Sequence, residues 1–157
     1  CVTAHYFCDE LDLNISAPII NGVRETVAYL KDRNISKVGI MATDGTISSG
    51  LFAKELEAAG ITPVIPSKDG QAAVMHLIYN NIKAGTAPDM NKFAFVRDEL
   101  FSLGAEAIIL GCTELSLIKR DYIIGAGFID VMEVLASQSL QKCDKKVKEE
   151  YKNLITV

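Results

Sequence analysis

The sequence predicts an α/β fold built on a parallel sheet, and three observations predict it. Apolar runs such as Lys37–Ala42 and Ala107–Leu110 carry little polar alternation, which suits strands covered on both faces. Stretches with helical spacing, about 10–14 residues long, lie between such runs, and strands joined through helices form right-handed parallel βαβ units. Gly60, Gly85 and Gly104 close three of those helical stretches, as helix stops do.

Each element follows from its local pattern. Cys1–Leu11 reads as the opening of a helix, with Thr3 able to cap it and Ala4, Phe7, Cys8 and Leu11 at three- and four-residue spacing. Pro18–Ile20 is expected as a short strand ending at Asn21-Gly22, and Val23–Asp32 as a helix with Val23, Val27 and Leu30 on one face. The strand Lys37–Ala42 breaks at Thr43-Asp44-Gly45-Thr46, which leads to a helix over Ser49–Ala59. Ile61–Pro66 is a third, shorter strand. Gln71–Ala84 reads as a long helix with Val74, Leu77, Ile78 and Ile82 inward, residues 86–91 as a loop, and Lys92–Leu103 as the helix before Ala107–Leu110. Leu115 and Ile118 resume helical spacing. Tyr122–Ile124 is expected as the last strand, reaching toward Ile129. Asp130 then begins a final amphipathic helix that passes into a charged tail over Lys142–Lys152.

Composition bounds the function. A chain of 157 residues fits one domain, and an apolar share of 49% is enough to fill a core. With 16 basic against 20 acidic residues, no basic face invites nucleic acid. No apolar run reaches the roughly 18 residues that would span a membrane. The four cysteines form no C-x-x-C pair and there are two histidines, so zinc-ligand spacing is lacking. Thiols in an acidic chain with no basic-then-apolar leader point to a reducing cytoplasm. Residue 1 is a cysteine inside what reads as a structured segment, so the chain is expected to be a processed product or part of a longer protein.

Chemistry concentrates at two strand ends. Cys112 falls where a buried strand meets a helix start, the edge at which open α/β sheets bind ligands. A helix N-terminus is expected to lower the thiol pKa there, although a lone buried cysteine more often serves as core. The Thr43–Thr46 loop should open on the same crevice. It matches no phosphate fingerprint; it reads equally as a capping turn or as a donor-rich loop suited to a carboxylate. Cys1 begins another helix. Two thiols across a small ligand could invert a stereocentre α to a carboxylate, one as base and one as acid, with donors at the carboxylate stabilising the carbanion.

Cys1-Val2-Thr3-Ala4-His5, Ala42-Thr43-Asp44-Gly45-Thr46 and Gly111-Cys112-Thr113-Glu114-Leu115 resemble the aspartate/glutamate racemase family. Glu114 points to the aspartate racemase-like branch, since glutamate racemases usually have histidine at that place. The resemblance implies a cofactor-independent racemase of acidic amino acids, without pyridoxal phosphate or metal. It implies two similar Rossmann-like α/β lobes, a small amino-acid substrate between them, and a homodimer. Carried over by position, Cys1 and Cys112 are the acid/base thiols, Thr3 and Thr113 hold substrate carboxylate, and Thr46 lies in the same cleft. Lys83 resembles a lysine that binds the side-chain carboxylate, and reads equally as a solvated lysine near a helix C-terminus; Glu114 orients the substrate amino group or Cys112, or is simply an acid in the first turn of a helix. His5 is expected to pack rather than to act, and His76 to lie at the surface or boundary.

Departures from the family pattern carry information too. Val2 stands where the family usually has Asn, and Ser116 where it usually has Pro. The family's glycine-rich first strand and substrate-binding arginine, upstream of the first cysteine, have no counterpart here. Residues 1–22 are therefore expected to end a first, largely missing lobe, 23–118 to form the second lobe, and 119–157 to return toward the first. Alternatives are an inactive truncated lobe, a related isomerase of the hydantoin racemase or maleate isomerase type, or an N-terminal nucleophile hydrolase using Cys1 and its own amine. The last would need stacked antiparallel sheets, against the βαβ pattern.

Overall fold

The computed structural model describes residues 2–12 and 16–157. A 3-10 turn over Val2–Phe7 runs into α1 (Cys8–Asp12), and a loop ending at Asn21 leads to α2 (Gly22–Asp32). Then come β1 (Lys37–Met41), α3 (Asp44–Ser48), α4 (Leu51–Ala58) and β2 (Thr62–Val64). α5 (Lys68–Met75) continues as a π-helical turn over His76–Ile82. α6 (Met90–Ser102), β3 (Ala107–Leu110), α7 (Thr113–Asp121), β4 (Phe128–Asp130) and α8 (Val131–Lys142) follow.

The strands form one parallel sheet in the order β2-β1-β3-β4, so the α/β fold read from the sequence is the one observed. Register pairs Met41 with Leu110, and Leu110 with Asp130, at the carboxyl edge. Both faces are covered. Val38 and Ile40 of β1, with Ala107 and Ile109 of β3, pack beneath α2, α4 and α8. Ile108 and Leu110 point the other way, with Phe128, against α5, its π-helical extension, α6 and α7. Period-two alternation between two apolar layers is why these strands read as continuous apolar runs. Each fully buried Ile or Leu contributes about 1.5–3 kcal/mol.

Side chains fix where the helices begin. Asn21 Oδ1 accepts from the backbone N–H groups of Val23 and Arg24, at 3.0 and 3.2 Å. Asp89 does the same for Asn91 and Lys92. Caps of this kind are worth about 1 kcal/mol each.

The structure corrects several boundaries. Pro18–Ile20 is loop, not strand. Pro18 has no N–H to give a ladder, and the segment instead delivers Asn21 to its cap. Tyr122–Ile124 is not a strand either; Ile123 is 99% exposed. The chain turns through Gly125 and Gly127, at φ +88° and +87°, a backbone region open to glycine, and only then joins the sheet as β4. The helix expected over Ser49–Ala59 is interrupted at Gly50, where φ is +66°, which separates α3 from α4. The long helix over 71–84 begins earlier and widens into the π turn.

The sheet edges differ. Beside β4, Ile155 makes an antiparallel bridge to Ile129; the Gly127 N–H donates to Thr156 O and the Thr156 N–H to Phe128 O, both at 2.9 Å, which holds the tail in place. On β2, Thr62 donates its N–H to Ser36 O at 2.8 Å, and Pro63 is the next residue. Among the described residues no helix is long and apolar enough to cross a membrane.

Candidate active site

β1 and β3 end side by side, and each runs directly into a helix. The Gly111 N–H donates to Met41 O at 2.8 Å, carrying the β1–β3 ladder one step past the strands. A Cβ at Gly111 would lie 3.0 Å from Phe52 and 3.1 Å from the Ala42 Cβ, so its absence lets the two turns approach. Thr43 and Cys112 are the N-cap residues of α3 and α7. The crevice expected from the sequence is therefore a single edge with two helix starts.

On the β3 side, Cys112 is 5% exposed. Its thiol donates to Glu114 Oε2 at 2.8 Å, and the Thr113 hydroxyl donates to the same oxygen at 2.9 Å. Lys83 Nζ reaches the other oxygen, Oε1, at 3.7 Å, and sits 4.2 Å over the Tyr79 ring. Cys112, Thr113, Glu114 and Lys83 thus form one network.

The electrostatics reverse one expectation. Burial first, and then the hydrogen bond and charge of Glu114, push the Cys112 thiol up to about 12. The helix start does not prevail because the thiol is desolvated beside an anion. Burial pushes Glu114 upward, but hydrogen bonds from Cys112, its own backbone and Thr113, with the Lys83 charge, outweigh it and hold the carboxyl below its ordinary range. At neutral pH the pair is a thiol donating to a carboxylate.

On the β1 side three hydroxyls meet. Thr3 Oγ1 lies 2.9 Å from Thr46 Oγ1 and 3.4 Å from Thr43 Oγ1, and Thr43 and Thr46 are 3.1 Å apart. Thr46 is 2% exposed. Both expected threonines, Thr3 and Thr46, are therefore together. Cys1 lies outside the described residues. Val2 is buried in the apolar cluster with Val23 and Phe52, so it faces the core. His5 is half-buried; its ring hydrogen-bonds Val2 O at 3.1 Å, and burial lowers its pKa. His76 sits half-buried in the π turn.

Some residues escaped the sequence reading. Gln71 donates to Ala42 O at 3.0 Å and to Asp44 Oδ1 at 2.8 Å, bracing the β1 turn. Its other side-chain atom, Oε1, is buried without a hydrogen-bond partner. Gln71 and Asp44 also line an open groove of about 500 Å3 with Met75 and His76. Nothing local in the sequence marks Gln71, since it reads as an ordinary polar position on a helix. Asp130 is buried at the end of β4, where Oδ1 accepts from Ser116 Oγ at 2.8 Å and from the Met132 N–H at 2.9 Å. Asp130 was legible only as a helix start.

Burial raises the Asp130 pKa against the hydrogen bonds from Met132 and Ser116. For an acid raised in the folded state, the contribution to stability is present at low pH and lost as pH rises through the folded value. Asp130→Asn keeps the Oδ1 acceptor without the charge. The variant is expected to gain on the unsubstituted protein between about pH 4 and pH 7, measured by urea unfolding at each pH. A gap that narrows as pH rises would show that the ionised carboxylate is the favoured form.

Among the described residues, no three His, Cys, Asp or Glu side chains converge as a metal site requires. The profile of a family described as Asp/Glu/Hydantoin racemase matches residues 1–139. An uncharacterized protein in the pnlA 3' region of Pectobacterium carotovorum is 28% identical over 135 residues, covering 85% of this chain and 90% of its own length. The broad specificity amino-acid racemase RacX of Bacillus subtilis is 28% identical over 140 residues, covering 89% of this chain. The present chain spans 61% of the length of RacX. The structure of Picrophilus torridus aspartate racemase matches with a TM-score of 0.71 at 26% identity, over 96% of this chain and 63% of that one.

Proposed function

The chain belongs to the Asp/Glu/hydantoin racemase family, and on that premise we propose that it exchanges the α-proton of an acidic amino acid, aspartate or glutamate, between two thiols. The observation that carries the reading is the buried Cys112 thiol, whose S–H donates to Glu114 Oε2 at the sheet edge. Cys112 rests as the acid, ready to protonate a carbanion; Cys1 is the opposing base. When the reaction runs the other way, Cys112 must lose its proton. A substrate ammonium beside Glu114 would neutralise the carboxylate and lower the cost of the thiolate. The hydroxyls of Thr3 and Thr46 supply donors for the α-carboxylate, where charge develops in the transition state, and Thr113 joins them when its hydroxyl turns from Glu114 Oε2 to the substrate. Lys83 supplies a cation for the side-chain carboxylate. The names of RacX and of the Picrophilus enzyme support an amino-acid substrate and an acidic one respectively. The reading includes a cofactor-independent reaction, a cytoplasmic setting and a homodimer.

The test is deuterium wash-in. In heavy water, the α-proton signals of L- and D-aspartate, and of the glutamate pair, are expected to fade in proton NMR, and alkylation of Cys112 is expected to stop the loss. A folded protein that exchanges neither enantiomer of either acid would overturn the reading. It would favour a second one, a non-catalytic lobe, for which the inward-facing Val2 speaks. A side chain packed in an apolar cluster offers nothing to a substrate carboxylate.

A further inference from the structure

The tail after α8 forms a strap fastened at both ends, with a partly open cavity between it and α8. At its start the Lys145 N–H returns to Leu140 O at 2.9 Å. At its end Leu154 is buried, its N–H donates to the Tyr29 hydroxyl at 2.7 Å, and Ile155 bridges to β4. Between α8 and the strap lies a cavity of about 490 Å3, walled by Ala136, Leu140, Val147, Tyr151 and Leu154. That volume is within the range of about 300–1,000 Å3 typical of small-ligand sites. Leu140 and Tyr151 stay 43% and 57% exposed, so the strap leaves apolar surface uncovered.

A second cavity, of about 770 Å3, adjoins the first and shares Ser137, Lys146, Val147 and Leu154 with it. Its lining is basic: Arg33, Lys145, Lys146 and Lys152 stand against Asp32 and Glu149. Lys152 is paired with Glu149 at 2.5 Å, whereas Lys145 and Lys146 have no ion-pair partner among the described residues. In the apolar cavity the one acid, Glu133, is already paired with Lys119. An apolar chamber therefore opens, through Lys146, onto a basic one. The strap lies beyond residue 139, where the family match ends.

We propose that this pair of cavities binds a single-chain amphiphilic carboxylate, a medium-length fatty acid, with its alkyl chain along α8 and its carboxylate at Lys146. The site is separate from Cys112 and independent of any racemase activity. Desolvating each further methylene favours binding about fourfold, and an ammonium head of equal chain length meets like charge.

The experiment is calorimetric titration of the full chain at low salt with hexanoate, octanoate and decanoate, each below its micelle concentration. Affinity is expected to climb about fourfold per methylene, to fall at least tenfold for decyltrimethylammonium, and to fall about as far for decanoate in Lys146→Glu. Ala136→Phe, at an exposed helix position, should fill the chamber and abolish binding while circular dichroism stays unchanged. Affinity independent of chain length, or untouched by Ala136→Phe in a folded protein, would overturn the proposal. So would sedimentation showing the ligand-free chain already dimeric through this face, with Ala136→Phe returning it to monomer.

Discussion

Replacing Glu114 by alanine is expected to speed alkylation of Cys112 at neutral pH by at least about tenfold, since each pKa unit is tenfold in thiolate below the pKa. In the unsubstituted protein burial, then the Glu114 hydrogen bond and charge, hold the thiol up at about 12. Alanine removes the second and third causes and leaves the first, so the thiol stays above the ordinary value of about 8.5. Glu114→Gln, which keeps an acceptor and drops the charge, should fall between. Lys83→Ala should act oppositely, because the Lys83 charge favours the thiolate. The rate of iodoacetamide addition at the Cys112 peptide, followed by mass spectrometry from about pH 7 to 11, reads all three, with the exposed Cys143 as internal reference. Slower alkylation in Glu114→Ala would mean that the carboxylate acts as a base toward the thiol.

Phe128→Ala is expected to cost about 3–5 kcal/mol of folding stability, the range for emptying a buried aromatic site. Phe128 is fully buried, with Phe93 and Phe101 at ring-centroid distances of 5.4 and 6.1 Å. β4 has three residues, and Phe128 is the one that anchors it to the α6 side of the sheet. Little else could close the gap. Phe128→Leu, which leaves a smaller void, should cost about 1–2 kcal/mol. Urea unfolding of both variants checks the pair; equal losses would show that shape, rather than cavity volume, governs the site.

The fold was legible where burial is uniform. Ile108 and Ile109 face opposite layers and are both apolar, so β3 announces itself in one short run. Phe128–Asp130 does not, because its burial depends on the glycine turn before it and on Asp130 finding Ser116 across the edge. The exposed Tyr122–Ile124 run has the better strand composition and loses to chain geometry. At the site, Gly111–Glu114 and Thr43–Thr46 were readable because turn residues and a thiol sit at strand ends. The height of the Cys112 pKa was not, since it depends on desolvation and on a rotamer of Glu114 two residues away. Gln71 was invisible for a related reason: its partners, Ala42 and Asp44, are distant in sequence.

The two borders of the sheet bear on how copies of the chain can aggregate or assemble. Along a parallel strand, residues alternate in the side to which their backbone groups point. Thr62 gives its N–H inward to Ser36, so it is Pro63 whose nitrogen faces outward, and proline has no proton there. The opposite border is occupied by Ile155 and Thr156. Neither border offers another chain a ready template for strand addition, the route by which exposed edges nucleate fibrils. Among the described residues, helical faces are then the expected route for association between copies, where contacts can be specific and need not propagate.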